Sequence, residues 1–344
     1  MTGNTLVVVL VACLAGGAFA VYLVARFVSR RNALLASFTA AIFGAALTAV
    51  LLLQPVVSTG SLPAWGRTDA GGAFLRADPG AVVMAGVALG LGLLVSVYSG
   101  CYLTRDRRYE TYYPLLLLLV TGLVGMLLAA DLFNLYLFCE LMSVAAYVLV
   151  AFRRNTSTAI EAGFKYLIMG SVGTAAILLG ISFVYRDAGQ LILPLTSAPG
   201  TSTRIGTGCL LVGLGLKSAI VPLHTWLPDA HSRAPSSISA MLSAVVVPSV
   251  FYALLKVCLG LGFPARDLGT LLILFSLANM VLGNSMALVQ THTKRLLAYS
   301  TIAQMGIIML SVGIGLRQGT PAPIDAGMFF ITVQAVMKGL AFLC

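Results

Sequence analysis

Lys165, Lys217, Lys256 and Lys338 lie inside long apolar runs, whereas the arginines gather at the ends of such runs or between them. The division carries chemical information. Lysine changes its proton affinity on burial and can release its proton, while arginine keeps its charge at any accessible pH. Lysines within the runs and arginines at their margins suit proton exchange through an apolar barrier. At Lys165 and Lys256 a second reading stays open, in which a long side chain near a helix end reaches back to the interface. Lys217 and Lys338 sit deeper in their runs.

Glu140 is the acidic residue that falls in the middle of a run, in Asp131-Leu-Phe-Asn-Leu-Tyr-Leu-Phe-Cys-Glu140-Leu-Met-Ser-Val-Ala-Ala-Tyr147. An unpaired carboxylate there costs several kcal/mol, so it must face protein or water and find a partner. Tyr136, Ser143 and Tyr147 stand at helical spacing from it and would share its face. A proton carrier and a structural partner for a lysine are both compatible with this pattern.

Around Lys217 the sequence runs Gly213-Leu-Gly-Leu-Lys217-Ser-Ala-Ile-Val-Pro222-Leu-His224-Thr-Trp-Leu-Pro228-Asp229-Ala-His231. Pro222 and Pro228 are expected to break the helix just past the lysine. Free backbone at membrane depth is tolerated only inside protein or beside a water-filled cavity, and interrupted helices next to buried charge are a transporter feature. His224 could pass protons between such a cavity and Lys217, because imidazole titrates near neutrality. His224 and His231 could equally be hydrogen-bonded structural groups in the break.

These side chains need a membrane-spanning scaffold. The 344 residues are 59% hydrophobic and 9% charged, with a mean hydropathy of +0.98, outside the range of ordinary globular domains. Apolar runs of about 18 to 25 residues recur throughout, each long enough to cross about 30 Å of hydrocarbon as a helix. Because the runs are continuous rather than alternating, closed barrels are excluded. Eleven spans are predicted, at about 6–28, 33–57, 80–103, 112–130, 132–152, 160–185, 205–222, 236–259, 268–290, 296–316 and 326–344, in a single integral membrane domain. The first has no basic n-region and is expected to be a retained helix rather than a signal peptide. The loop at 58–79, with Pro63, Trp65, Gly66, Gly71, Gly72 and Pro79, is expected to be an interfacial segment without regular structure.

The net charge of +10 is spread over short connections and forms no block, which suits membrane topology rather than nucleic acid. Connections after odd-numbered spans carry eleven basic residues, among them Arg30, Arg31, Arg107, Arg108, Arg154, Lys294 and Arg295. Those after even-numbered spans carry six, Arg67, Arg76, Arg186, Arg204, Arg266 and Arg317. Positive charge is retained on the cytoplasmic side, which predicts an outside N-terminus. Cys13, Cys101, Cys139, Cys209, Cys258 and Cys344 are widely separated and form no C-x-x-C pair, as expected of buried, inert thiols.

Four stretches resemble the antiporter-like membrane subunits shared by respiratory complex I, membrane-bound hydrogenases and Mrp-type cation/proton antiporters: Asp131–Glu140, Glu161–Gly170, Lys217–Ala240 and Lys294–Gly306. The resemblance implies an all-α, polytopic bundle of inverted five-helix repeats with a broken seventh helix. Peripheral helices would occupy 1–111, a first repeat about 112–260 and an incomplete second repeat about 266–344. It further implies that Glu140 and Lys217 match a glutamate–lysine pair whose separation modulates the lysine's proton affinity, and that Lys338 matches a lysine of the second repeat. Lys165, Lys256, His224 and His292 are the relay candidates. About three further helices would complete the second repeat, so a lone chain is expected to lack a complete ion path.

Two departures from the family pattern stand out. Val245-Val-Val-Pro248-Ser249 replaces the lysine that many relatives carry midway along the eighth helix, and Lys256 lies two turns later. His292 stands where relatives commonly have an acidic residue. Pro248 is expected to bend its helix or open its ladder, with water or a polar cavity near Ser243 and Ser249.

Three functions fit these residues. They are an ion-translocating subunit of a redox-driven complex, a subunit of a secondary Mrp-type Na⁺/H⁺ antiporter, and a proton-inactive scaffold. In each, the partners are other membrane subunits and lipid, in a cell membrane. No flavin, nicotinamide, haem, cluster or metal motif is present in the sequence, so no cofactor is expected and any redox chemistry would belong to partner subunits.

Overall fold

A computed structural model describes residues 3–28, 31–58, 64–65, 74–105, 109–153, 156–195 and 198–344. Arg30, Pro63, Gly66, Arg67, Gly71, Gly72, Arg107, Arg108 and Arg154, used above for the loop and the charge count, lie outside the described residues. Among those described, ten helices are long and apolar enough to cross a membrane. Their outward surface is apolar, with Phe27, Val281, Leu340 and Phe329 among the exposed side chains, as expected where lipid replaces water.

The chain forms two compact units, Met1–Phe152 with Leu343 and Arg153–Phe342 with Cys344. The first contains α1 (Gly3–Leu23), extended by a π-helical turn over Val24–Val28, then α2 (Asn32–Ser58), α3 (Pro79–Tyr102), α4 (Tyr109–Leu128) and α5 (Leu132–Val150). Asp78 caps α3 by accepting from the Ala81 N–H at 2.9 Å, and Pro79 follows at a position where a missing N–H costs nothing. α4 is the buried centre, with Tyr112 and Tyr113 fully enclosed. Tyr112 shares a 3.0 Å hydrogen bond with Ser99, and Tyr113 donates to Asn32 Oδ1 at 2.6 Å. Asn32 in turn donates to the Gly100 carbonyl at 2.9 Å. These bonds join the start of α2, the end of α3 and the start of α4. Contrary to the expectation of no regular structure at 58–79, β1 (Ala64–Trp65) pairs antiparallel with β2 (Leu75–Arg76). Leu75 is buried, and pairing satisfies backbone groups that burial would otherwise leave open.

The second unit contains α6 (Ser157–Ala188), α7 (Thr201–Lys217), α8 (Trp226–Arg233), α9 (Ser236–Met241), α10 (Val247–Gly260), α11 (Ala265–Leu288), α12 (Thr293–Gln318) and α13 (Pro321–Leu343). α6 and α7 touch backbone to backbone: a Cβ on Gly206 would lie 2.7 Å from the Gly180 carbonyl oxygen. Small residues permit this approach, as in membrane helix pairs generally. A π-helical turn over Leu242–Val246 joins α9 to α10. The predicted span at 236–259 is therefore one helical path whose register opens immediately before Pro248, as a missing N–H requires. Several basic residues assigned above to connections, among them Arg186, Arg204, Arg266 and Arg295, occupy end turns of helices instead.

The predicted span at 205–222 ends early, because α7 stops at Lys217. Pro222 cannot donate to the carbonyl four residues back, and its ring disfavours helix in the residue before it, so termination propagates upstream by a turn. Pro228 does not break anything. It occupies the first turn of α8, where its N–H would be unpaired in any case. Cys139 and Cys258 are buried as expected, whereas Cys101 and Cys344 are exposed at helix ends.

Candidate functional site

In the first unit the candidate residue is Glu140, half-buried in the third turn of α5. Asp131 starts that helix by accepting from the Asn134 N–H at 2.8 Å, which holds the first turn and so the register of Glu140. Gly122 and Gly125 let α4 lie directly against α5. A Cβ on Gly122 would collide with the Met142 backbone nitrogen, and one on Gly125 would enter the Phe138 ring. On the face shared with Glu140, Ser143 and Tyr147 are buried and Tyr136 is half-buried. The Ser143 hydroxyl donates to the Cys139 carbonyl at 2.7 Å.

In the second unit Lys217 is the last residue of α7 and only 5% exposed. The backbone after it is held by side chains from elsewhere. Asn279 of α11 accepts from the Val221 N–H at 2.8 Å through Oδ1. The Trp226 indole donates to the Leu216 carbonyl at 2.9 Å, and its ring stacks on Tyr166 with centroids 4.2 Å apart. Ala219 adopts a positive φ of 54°, a conformation L-residues rarely take. This strained residue lies in the interruption. His224 lies inside it, nearly buried, with Nδ1 lacking a hydrogen-bond partner.

Lys338 of α13 is 2% exposed and donates to Ser300 Oγ at 2.8 Å and to the Leu297 carbonyl at 3.3 Å. One turn earlier on the same helix, both amide atoms of the fully buried Gln334 lack partners. His231 is likewise fully buried, stacks on Phe342 and has no partner at either ring nitrogen. Ser243 shares a 2.7 Å hydrogen bond with Thr301, while the buried Ser249 hydroxyl has none.

Two relay candidates come together and one does not. Lys165 and His292 line a polar cavity of about 200 Å³ that also includes Glu161, Asp229 and Arg295. Lys165 is half exposed and pairs with Glu161 at 2.8 Å and Asp229 at 3.6 Å. Lys256 stands apart on α10, half-buried. Asn279, Gln334, Ser300 and Trp226 were missed by the sequence reading. Asn279 and Gln334 are polar residues inside apolar runs, the same signal that singled out Glu140. Among the described residues no three of His, Cys, Asp and Glu lie together as a metal site.

The family model for the membrane part of NADH:quinone oxidoreductase and Mrp antiporters matches residues 129–344. The chain is 33% identical over 342 residues to NADH-quinone oxidoreductase subunit N of Xanthomonas euvesicatoria, covering 96% of this chain and 66% of that protein. It is 34% identical to F(420)H(2) dehydrogenase subunit N of Methanosarcina mazei, covering 75% and 53%. The chain thus spans between half and two thirds of the length of these relatives. Among solved structures, the archaeal membrane-bound sulfane sulfur reductase superposes with a TM-score of 0.87 at 27% identity, covering 98% of this chain and 69% of that one. The Mrp complex of Dietzia sp. has the same TM-score at 24% identity, covering 98% and 64%, which is a likeness of fold.

Proposed function

The chain belongs to the NADH:quinone oxidoreductase/Mrp antiporter membrane family, and from that premise we propose that it carries protons, or a cation in exchange for protons, as one membrane subunit of a redox-driven complex. The observation that carries the reading is Lys217, a nearly buried lysine ending a helix just before an interruption of the backbone. A carboxylate close to an ammonium favours the charged form, and its withdrawal favours proton release. In this reading Glu140 is that carboxylate, Lys217 takes up and gives up the proton, and Lys338 continues the transfer. His224, Lys165, Lys256 and His292 are candidate relays. In this reading the electron-transfer chemistry belongs to partner subunits.

The repeats are proposed at about 112–260 and 266–344, with peripheral helices before them, in a plasma membrane and with the N-terminus outside. The family description joins redox complexes with Mrp antiporters, which keeps a gradient-driven Na⁺/H⁺ antiporter subunit as the second reading. Pro248, in place of a buried lysine, favours a third, the proton-inactive scaffold.

Glu140→Gln and Lys217→Ala in the assembled complex, with proton translocation followed in vesicles and subunits counted after purification, test the proposal. Each variant is expected to assemble normally and to lose translocation. Near-normal pumping by both would leave only the scaffold reading. Copurification with quinone-reducing or hydrogenase subunits supports the redox complex, and an all-antiporter assembly supports the second reading.

A further inference from the structure

We propose that the charged cavity between α6, α8 and α12 binds the phosphate headgroup of an anionic phospholipid. Its three basic side chains, Lys165, Arg233 and Arg295, face two carboxylates, Glu161 and Asp229. Both carboxylates are already engaged, Glu161 by Lys165 at 2.8 Å, and Asp229 by Arg295 Nη2 at 2.6 Å and Lys165 at 3.6 Å. What remains is cationic. Arg233 projects outward from the last turn of α8, and Arg295 Nε is buried with no partner of its own. The exposed Arg233 guanidinium suits a tetrahedral oxyanion.

The backbone adds charge of the same sign. α6 and α12 both begin at this cavity, with Thr158 in the first turn of one and His292 capping the other. Neither Thr156 nor His292 makes a side-chain capping bond. Each helix start contributes about half a positive charge. With the excess of one basic side chain over the carboxylates, the cavity carries a net charge of about +2, enough to hold a phosphate group.

Depth and surroundings select a lipid over free phosphate. Both helix starts are the first turns of segments long and apolar enough to cross a membrane, and the proposal puts the cavity at headgroup level. Ile168, seven residues after Glu161 and three after Lys165, continues the cavity's face of α6 as an exposed apolar side chain, and Leu296 is exposed next to Arg295 on α12. A phosphate bound in the cavity with an acyl chain along Ile168 satisfies both surfaces, and a free phosphate satisfies only one.

The test uses the purified full chain in nanodiscs of equimolar phosphatidylglycerol and phosphatidylcholine, with retained lipid counted by native mass spectrometry. Wild type is expected to retain phosphatidylglycerol selectively. Arg233→Glu is expected to weaken retention by about tenfold, because each basic residue near a membrane surface contributes severalfold to anionic-lipid binding. The milder Arg233→Gln should fall between, which preserves the test if the reversal disturbs folding. Arg317→Glu, at the other end of α12, serves as control. Unchanged retention in both Arg233 variants, or equal loss in the Arg317 control, overturns the proposal. Thermal protection by millimolar inorganic phosphate in phosphatidylcholine alone, without phosphatidylglycerol selectivity, overturns the lipid assignment in favour of a free anion. Because binding is read without a transport step, failure here leaves the translocation reading untouched.

Discussion

The Trp226 indole donates to the carbonyl of Leu216 at 2.9 Å, so the residue that opens α8 closes a bond freed at the end of α7. A carbonyl at a helix C-terminus has lost its partner four residues on, and at membrane depth water does not supply one. The Ala219 N–H, at 3.1 Å, and the indole do so together, while the indole ring lies on Tyr166 of α6. Lys217 is thereby held between a satisfied backbone on one side and the interruption on the other.

Trp226→Phe keeps an aromatic ring on Tyr166 and removes only the donor. The Leu216 carbonyl keeps the Ala219 N–H and loses one of its two donors, a hydrogen bond worth about 1 kcal/mol, so the thermal midpoint of the purified chain is expected to drop measurably. Trp226→Ala, which also loses the stacked ring, should drop it further. An unchanged midpoint in the Phe variant would show that the indole bond contributes nothing.

Asn279 acts on the same segment from α11. Asn279→Leu preserves volume but leaves the Val221 N–H unpaired, at a cost of about 1–3 kcal/mol. Hydrogen–deuterium exchange over residues 218–225 should quicken in this variant, while exchange in α10 stays slow. Equal protection in the two proteins would refute the assignment.

Lys338 donates to Ser300 and to the Leu297 carbonyl. Lys338→Met removes the titrating group at similar volume and is expected to abolish proton translocation in the assembled complex. Ser300→Ala takes away one acceptor of the lysine, a hydrogen bond to an ionisable group worth about 1.5–3 kcal/mol, and is expected to slow translocation severalfold. Wild-type rates in Lys338→Met would remove this residue from the path.

Beside Pro248 the buried Ser249 hydroxyl has no protein partner. Buried polar groups are almost always bonded to protein or ordered water. A water molecule on Ser249 Oγ is expected in a high-resolution map of the assembled complex. Tight, dry packing around that hydroxyl would count against a hydrated path replacing the missing lysine.

The spans were legible in the sequence because hydrocarbon thickness imposes both a length and a composition on every crossing helix. Burial of Lys217 and Lys338 was legible for the same reason, since an ionisable residue inside an apolar run has nowhere polar to go unless protein supplies it. The end of α7 at Lys217 was half legible: Pro222 announced an interruption, but its effect on the carbonyl four residues back placed the break upstream. Tertiary structure alone decided what holds the break. Val221 meets Asn279 across 58 residues of sequence, and Arg295 meets Asp229 across 66. Helical periodicity relates residues three and four apart on one face, and it carries no record of which distant helix will pack there. That choice follows from close approaches such as Gly180 on Gly206, where the absence of a side chain on both partners lets two backbones meet.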